Sequence, residues 1–309
     1  HRDLHSFPTR RSSDLRYLPK GYTLVLNGDI EDFQKFTPSA VKRAWKEFYG
    51  LLREFRRKER LVRIFGNHDE LLSLMPGSAD PPAVEAVRFL YRGSSLFVFH
   101  GHQASLAMLR FNTQIGRLIR FLVRPLGIMN DSVAHDNRKK FTTERRIYEF
   151  SNAEKIISVV GHTHRPLFES QSKGDTLRFR IEKLCRRYPL ARGPARERIA
   201  REIVLLKQEF RRLLEKYGDG GFLGGIYENR LSIPSIFNSG CATGKRGITC
   251  IEIAKGRIRL VHWFRREEER HPDWTGHEAA EELGKTGIFR LVIKEESLDY
   301  IFTRIKLLT

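Results

Sequence analysis

At 309 residues, with 40% hydrophobic and 30% charged residues, the chain has enough material for a sizeable core and the balance of a soluble globular protein, which excludes a fibre, a disordered tail or a small disulfide scaffold. Its three cysteines, Cys185, Cys241 and Cys250, lack close metal-ligand spacing and point to buried thiols in a reducing compartment, and no apolar run reaches the length of a membrane span. The formal charge of +19 implies attraction to anions, whether phosphorylated substrates, anionic lipid or nucleic acid, without choosing among them.

Residues 1–15, His1 to Leu15, agree at all fifteen positions with the translation of a short-read sequencing adapter and are set apart from the fold as a scar. From Arg16 the sequence is natural in character. Gly21 precedes an apolar strand, Thr23-Leu24-Val25-Leu26, which runs into Asn27-Gly28-Asp29-Ile30-Glu31-Asp32. Thr37-Pro38-Ser39 then caps a helix expected over about residues 39–58, where Val41, Trp45, Phe48, Leu51, Leu52 and Phe55 recur at helical spacing. Its basic end, Arg53 to Arg60, reads as a solvated helix terminus. Leu61 to Phe65 is a second strand, leading into Gly66-Asn67-His68-Asp69. Glu70 to Leu74 is helical, and beyond the Asp80-Pro81-Pro82 turn a further helix is expected at 83–91. Leu96 to Phe99 then runs into His100-Gly101-His102.

A first, cap-like insertion spans 103–153. Over 104–126, Leu106, Leu109, Leu118 and Leu122 alternate with Arg110, Arg117, Arg120 and Arg124 in helical fashion. Such a helix is a substrate cap, a membrane-surface helix or, by default, a core-facing helix with a solvated basic face. The apolar run Ile156 to Val160 then ends in Gly161-His162-Thr163-His164-Arg165-Pro166. A second insertion, 167–230, carries fourteen Lys/Arg against six Asp/Glu over residues 171–217. It reads as a helical hairpin broken at Tyr188-Pro189 and Gly193-Pro194. Gly218 to Gly225 is an exit loop without the helix and lysine of a phosphate-binding P-loop. Ser235 to Gly240 and Ile248 to Ile253 are strands, and Lys255-Gly256 turns the chain into Arg257 to Phe264 as a hairpin. The tail, 268–309, is charged and mixed, with no readable chemistry.

Four apolar strands thus each end in a cluster of Asp, Asn or His, at the carboxyl ends where open α/β sheets place their sites. His162 and His164 alone read either as a metal-ligand pair or as hydrogen-bonded loop residues. As an ordered set, Gly-Asp-x-x-Asp, Gly-Asn-His-Asp, a strand-end His-Gly and Gly-His-x-His resemble the calcineurin-like metallophosphoesterase superfamily over residues 20–166, with a return at 233–264. The resemblance implies an α/β (α+β) fold, a four-layer β-sandwich flanked by helices, with one domain over 16–264, the two helical insertions and a C-terminal extension over 265–309.

It also implies two divalent ions, which make water nucleophilic near neutral pH and clamp phosphoryl oxygens. Asp29 would bridge them, Asn67, His100 and His162 would complete one site, and His164 would serve the other. These nitrogen and oxygen donors suit Mn foremost, with Fe or Zn as alternatives. His68 would act on the leaving group, oriented by Asp32; the other reading of Asp32 is a turn cap. Asp69 reads as loop support and His102 as lining the site. Arg165 binds a substrate phosphate or is an exposed loop arginine. The family opens with Asp-x-His, which Asp3-Leu4-His5 matches by letter, yet no apolar strand precedes it. The true first strand is therefore expected to be missing, the first metal site incomplete and this polypeptide weakly active.

The cap-like insertion and Gly-His-Thr-His-Arg-Pro look similar to bacterial UDP-2,3-diacylglucosamine pyrophosphohydrolases, peripheral enzymes that cleave a lipid-linked diphosphate. A phosphorylated small-molecule or lipid-linked substrate at the cytoplasmic face of an inner membrane follows, with Arg117 and Arg120 toward substrate or anionic lipid. A nuclease is the alternative enzyme, although aromatic and basic residues are not interleaved as nucleic-acid grooves require. A non-catalytic metal- and anion-binding scaffold is the alternative outside enzymology. Two ions with turnover distinguish the enzyme from a scaffold holding one ion without turnover.

Overall fold

The computed structural model describes residues 16–74, 81–104, 137–168, 173–217, 233–242, 247–265 and 280–309. Its first unit follows from local sequence. β1 (Leu24–Asn27) and β2 (Leu61–Ile64) pair in parallel, Leu24 with Leu61 through Asn27 with Ile64, so a crossover must join them. The crossover is α1 (Pro38–Ala44) followed by α2 (Lys46–Arg57). Thr37 Oγ1 accepts the Ala40 N–H and Pro38 occupies the first turn, the helix-start signal legible in the sequence. The single helix expected over 39–58 is interrupted at Trp45, whose φ of −111° and ψ of 27° leave the helical range while its ring turns edge-on to Phe48. Leu51, Leu52 and Phe55 of α2 bury against Leu26 and Leu61.

Residues 83–91 are not a helix. β3 (Ala86–Tyr91) pairs antiparallel with β4 (Ser94–Phe99) through a two-residue turn in which Arg92 and Gly93 stand at φ 50° and 82°. Two positive φ values match the strand twist of a tight hairpin, and that turn overrides the helix-like spacing of Val84, Val87 and Leu90. β4 continues in parallel to β5 (Ile157–Val160), and β5 to β6 (Ile236–Asn238), giving the order β3-β4-β5-β6. All four β5 residues are buried. The Ser158 hydroxyl shares a 2.7 Å hydrogen bond with Ser151 of the helix Asn137–Ala153. Ile157 and Val159, on the opposite face of the pleat, therefore point toward the other sheet. That sheet comprises β7 (Ile248–Ala254), β8 (Arg257–Arg265), β9 (Glu281–Glu282) and β10 (Ile288–Ser297), in the antiparallel order β7-β8-β10-β9.

One core joins both sheets. It combines Leu96, Val98, Ile157, Ile236 and Phe237 with Ile258 and Leu260, and with Ile301 and Ile305 of the closing helix Leu298–Leu308. The C-terminal residues are thus integral to the second sheet rather than appended. The short α3 (Leu71–Leu74) follows β2; α4 is the helix 137–153. Ile147 and Tyr148 of α4 belong to the main core, so this half of the expected cap-like insertion is a core helix. The second insertion is the expected hairpin: α5 (Lys173–Arg187), a 3-10 turn at Tyr188–Leu190, and α6 (Pro194–Tyr217) around its own apolar cluster. Cys185 is exposed, against the expectation of buried thiols, because it lies one position off the apolar stripe that ends at Leu184.

The readings for residues 1–15, for the stripe at 105–126 with Arg117 and Arg120, and for Gly218 to Gly225 lie outside the described residues. The architecture is mixed α/β with several sheets and no closed barrel among the described residues. No described helix is long and apolar enough to cross a membrane. Among the described residues β1 pairs only with β2 and β7 ends its own sheet, and both strands line one cavity of about 2120 Å³ with Leu96, Val98 and Val159.

Candidate metal centre

The carboxyl ends of β1, β2, β4 and β5 converge on that cavity, as the strand-end clusters required. Gly28 follows β1 at φ 78°, and a Cβ there would lie 2.4 Å from His100 Nδ1, so the backbone can reach the imidazole only without a side chain. Asp29, next in sequence, itself stands at φ 54°. Among the described residues seven non-glycine positions have positive φ, and Asp29, His162 and His164 are three of them. Backbone held in this costly region concentrates where side chains are aimed for function.

Asp69 binds the first two loops together by accepting the N–H groups of Gly66 at 2.6 Å, Ile30 at 2.9 Å and Asp29 at 3.2 Å. It is the loop support expected from sequence, and burial pushes its pKa above the ordinary carboxylate range. Asp29 Oδ1 accepts the His68 N–H at 2.9 Å, which leaves Oδ2 facing His100 Nε2 at 3.0 Å. Desolvation opposes ionisation of Asp29, but His100 and the His68 N–H outweigh it and hold this carboxyl well below the usual range.

His100 is 2% exposed, and its Nδ1 lies 2.7 Å from the Asn27 carbonyl oxygen. Nδ1 therefore donates to that carbonyl, which fixes the ring and aims Nε2 at Asp29. His100 Nε2 has no well-aligned hydrogen bond despite its closeness to Asp29 Oδ2. At 3.0 Å, either a proton or a cation has to lie between Nε2 and Oδ2. His162 Nε2 is likewise buried without a hydrogen bond. Desolvation first, and His100 second, push the His162 pKa down to about 4, so the ring is neutral at physiological pH.

Ligand atoms of Asp29, His100 and His162 lie within 4.8 Å of one another. Asn67 lines the same cavity; its backbone oxygen accepts Gln34 Nε2 at 2.9 Å, while its side-chain Oδ1 is buried without a hydrogen bond. Buried acceptors without donors are rare in native proteins, and their convergence is the pattern of a cation site. The donor set of two imidazole nitrogens and a carboxylate oxygen in Asp29, His100 and His162 could hold a metal ion.

His68 stands at the mouth of the site, with Nδ1 3.0 Å from Asp32 Oδ1. Desolvation works against the Asp32 charge, but His68 and Lys35, whose Nζ lies 3.0 Å from Oδ2, hold its pKa below the ordinary value. His164 lines the cavity and is exposed, outside the tight cluster. His102 does not line the cavity. The 3-10 turn His102–Ala104 buries it with its ring 5.5 Å from that of His100 and 6.4 Å from that of His162. Arg165 pairs with Glu144 of α4 while its side chain stays 39% exposed.

Glu144 is the main residue that motif spacing missed. It is fully buried and also accepts the Thr163 hydroxyl at 2.7 Å, while Asn238 Nδ2 donates to Gly161 O at 2.9 Å and to Thr163 Oγ1 at 2.7 Å. The loop carrying His162 and His164 is thus clamped from α4 and β6. A polar Asn at the start of the Asn238-Ser239-Gly240 run was the one sequence signal for it; Glu144 had none.

No known protein family, curated protein or solved structure matches the chain.

Proposed function

We propose that the chain is a metal-dependent phosphoesterase of the calcineurin-like kind, hydrolysing a phosphate ester or diphosphate bond. The observation that carries this reading is the buried Asp29–His100–His162 cluster, with its undonated acceptors, opening on the same cavity as the His68–Asp32 pair. The order of the motifs along the chain agrees with it. Two helix-flanked sheets sharing one core fit the four-layer sandwich of that superfamily. Asp29 and His164, which line the same cavity, would serve a first metal site.

Asp29, Asn67, His100 and His162 would hold a divalent ion, which would supply Lewis acidity toward water and the phosphoryl oxygens. The protein's own residues do the rest. Asp32 accepts the Nδ1 proton of His68 and fixes the ring, so that Nε2 is the atom that delivers a proton to the departing oxygen as the P–O bond breaks. The hydroxyl of the attacking water ends on phosphorus, and its other proton passes to solvent, from which His68 Nε2 regains the one it gave up. Asp69 and Glu144 touch no substrate and hold the two ligand loops at their spacing.

The test is equilibrium dialysis of the full chain against Mn²⁺, followed by nitrophenyl phosphate hydrolysis. At least one ion per chain should be retained and lost in Asp29→Ala and His162→Ala, with metal-dependent turnover. Failure to retain any ion overturns the reading. Retention with no turnover favours the metal- and anion-binding scaffold.

A further inference from the structure

The hairpin α5–α6 takes no part in the site. Its buried residues Leu177, Leu184, Ile199 and Leu206 form a cluster separate from the core that joins the two sheets. Over residues 173–217 it carries fourteen Lys/Arg and six Asp/Glu, a net +8 of the chain's +19. Its bend is more one-sided still. From Arg186 to Arg201 there are six arginines and a single acid, Glu197. Arg186, Arg187, Arg192, Arg196, Arg198 and Arg201 are all exposed.

Between Arg187 and Arg192 in sequence stands Leu190, 84% exposed, the most exposed large hydrophobic residue among those described. Pro189 precedes it, and Gly193 with Pro194 follows, so the bend is held by residues of restricted or special backbone geometry. Along α6, Ile199, Ile203, Leu206, Phe210 and Leu213 pack in the hairpin's own cluster. At helical spacing the opposite face carries Glu197, Arg201, Val204, Leu205, Gln208 and Arg212. Val204 is 53% and Leu205 57% exposed. Arg180 pairs with Glu202, Arg186 with Glu182, and Arg201 lies 4.0 Å from Glu197, so part of the charge is internally balanced. The balance leaves the bend strongly basic.

Basic residues alone do not distinguish nucleic acid from lipid. The exposed leucine does. A nucleic-acid surface places arginines on phosphates and aromatic rings on bases, and the bend's one aromatic ring, Tyr188, is already covered by Arg196 at 4.6 Å. An interfacial lipid site instead wants an aliphatic residue that enters the acyl boundary, ringed by arginines that reach headgroup phosphates. We propose that the bend of the α5–α6 hairpin, with Leu190 at its apex and Arg186, Arg187, Arg192 and Arg198 around it, docks on an anionic lipid surface. This assignment stands apart from the phosphoesterase reading and needs neither metal nor turnover.

Vesicle flotation of the full chain tests it, with phosphatidylcholine vesicles against vesicles containing about one-third phosphatidylglycerol. Binding is expected on the anionic vesicles only, and about tenfold or more weaker in Arg187→Glu/Arg192→Glu. Leu190→Ser leaves the charge unchanged and, at an exposed position, the fold intact; it should weaken binding by about tenfold. As a second readout, Leu190→Trp should show a blue shift of emission on anionic vesicles that the unmodified protein does not. Full-strength binding by Leu190→Ser together with no blue shift would overturn the proposal, as would equal binding to neutral vesicles. Salt-sensitive binding to DNA or RNA without vesicle binding would also overturn it and assign the bend to nucleic acid.

Discussion

Asn67 and His68 are adjacent, yet their side chains have separate tasks. Asn67 Oδ1 is buried with no donor, whereas His68 is partly exposed and already engaged by Asp32. Asn67→Ala should therefore lose Mn²⁺ and turnover together. His68→Ala should keep the metal near full occupancy, yet slow alkoxide-like leaving groups by about 10² to 10⁴ and nitrophenolate far less, because an acidic leaving group needs little protonation. Metal analysis combined with the two substrates checks it; equal losses for both with metal intact would remove His68 from the proton-donor role. Gly28 carries a different kind of constraint. Gly28→Ala combines positive φ with a Cβ placed 2.4 Å from His100 Nδ1, so His100 must move. A loss of about 1 to 3 kcal/mol in urea unfolding, with weaker Mn²⁺ retention, is expected. These residues were legible because each follows an apolar strand directly. Glu144 was not, and Asn238 only through its Asn-Ser-Gly run, since their roles depend on α4 and β6 meeting the His162 loop from distant parts of the chain.

At the scale of elements, legibility followed how local the deciding interaction is. The start of α1 at Thr37-Pro38 and the breaks of the hairpin at Tyr188-Pro189 and Gly193-Pro194 are set within a few residues, and all were readable. The segment 83–91 was misread because its strand identity rests on pairing with β4 across the Arg92-Gly93 turn. Ile288–Ser297 carries no deciding local signal for a similar reason: β8 on one side and β9 on the other define it. Tertiary clamping also makes a prediction about α4. Glu144→Gln keeps the shape but removes the charge that Arg165 and the Thr163 hydroxyl share. The loop that aims His162 should loosen, and supporting contacts of this kind are worth about 10- to 100-fold in metal affinity. A Mn²⁺ titration should show that loss with only a small change in melting temperature. Unchanged affinity would mean that Asn238 alone holds the loop.

Across the whole molecule, one buried polar cluster ties the first described residues to the second sheet. Tyr17 donates to Glu252 of β7 at 2.7 Å and accepts the Trp263 indole N–H of β8 at 2.9 Å, while Arg290 of β10 grips Glu252 with Nε at 2.9 Å and Nη2 at 2.5 Å. Burial pushes the Tyr17 hydroxyl far above its ordinary value, so it stays a neutral donor. For Glu252, burial opposes ionisation, but the Arg290 and Tyr17 hydrogen bonds prevail and lower its pKa below the ordinary 4.5. A carboxyl whose folded pKa is depressed contributes stability above its unfolded value, and that contribution disappears as pH falls through the folded one. Glu252→Gln should therefore cost about 3 kcal/mol at pH 7, where it leaves Arg290 buried beside an uncharged partner. The gap between the native chain and Glu252→Gln should persist from neutral pH down to the ordinary glutamate range and narrow below it, as Glu252 takes up its proton. Urea unfolding at stepped pH measures this directly. A gap that is the same at pH 7 and in strong acid would show that the cluster stabilises the sheet through packing rather than through the Glu252 charge.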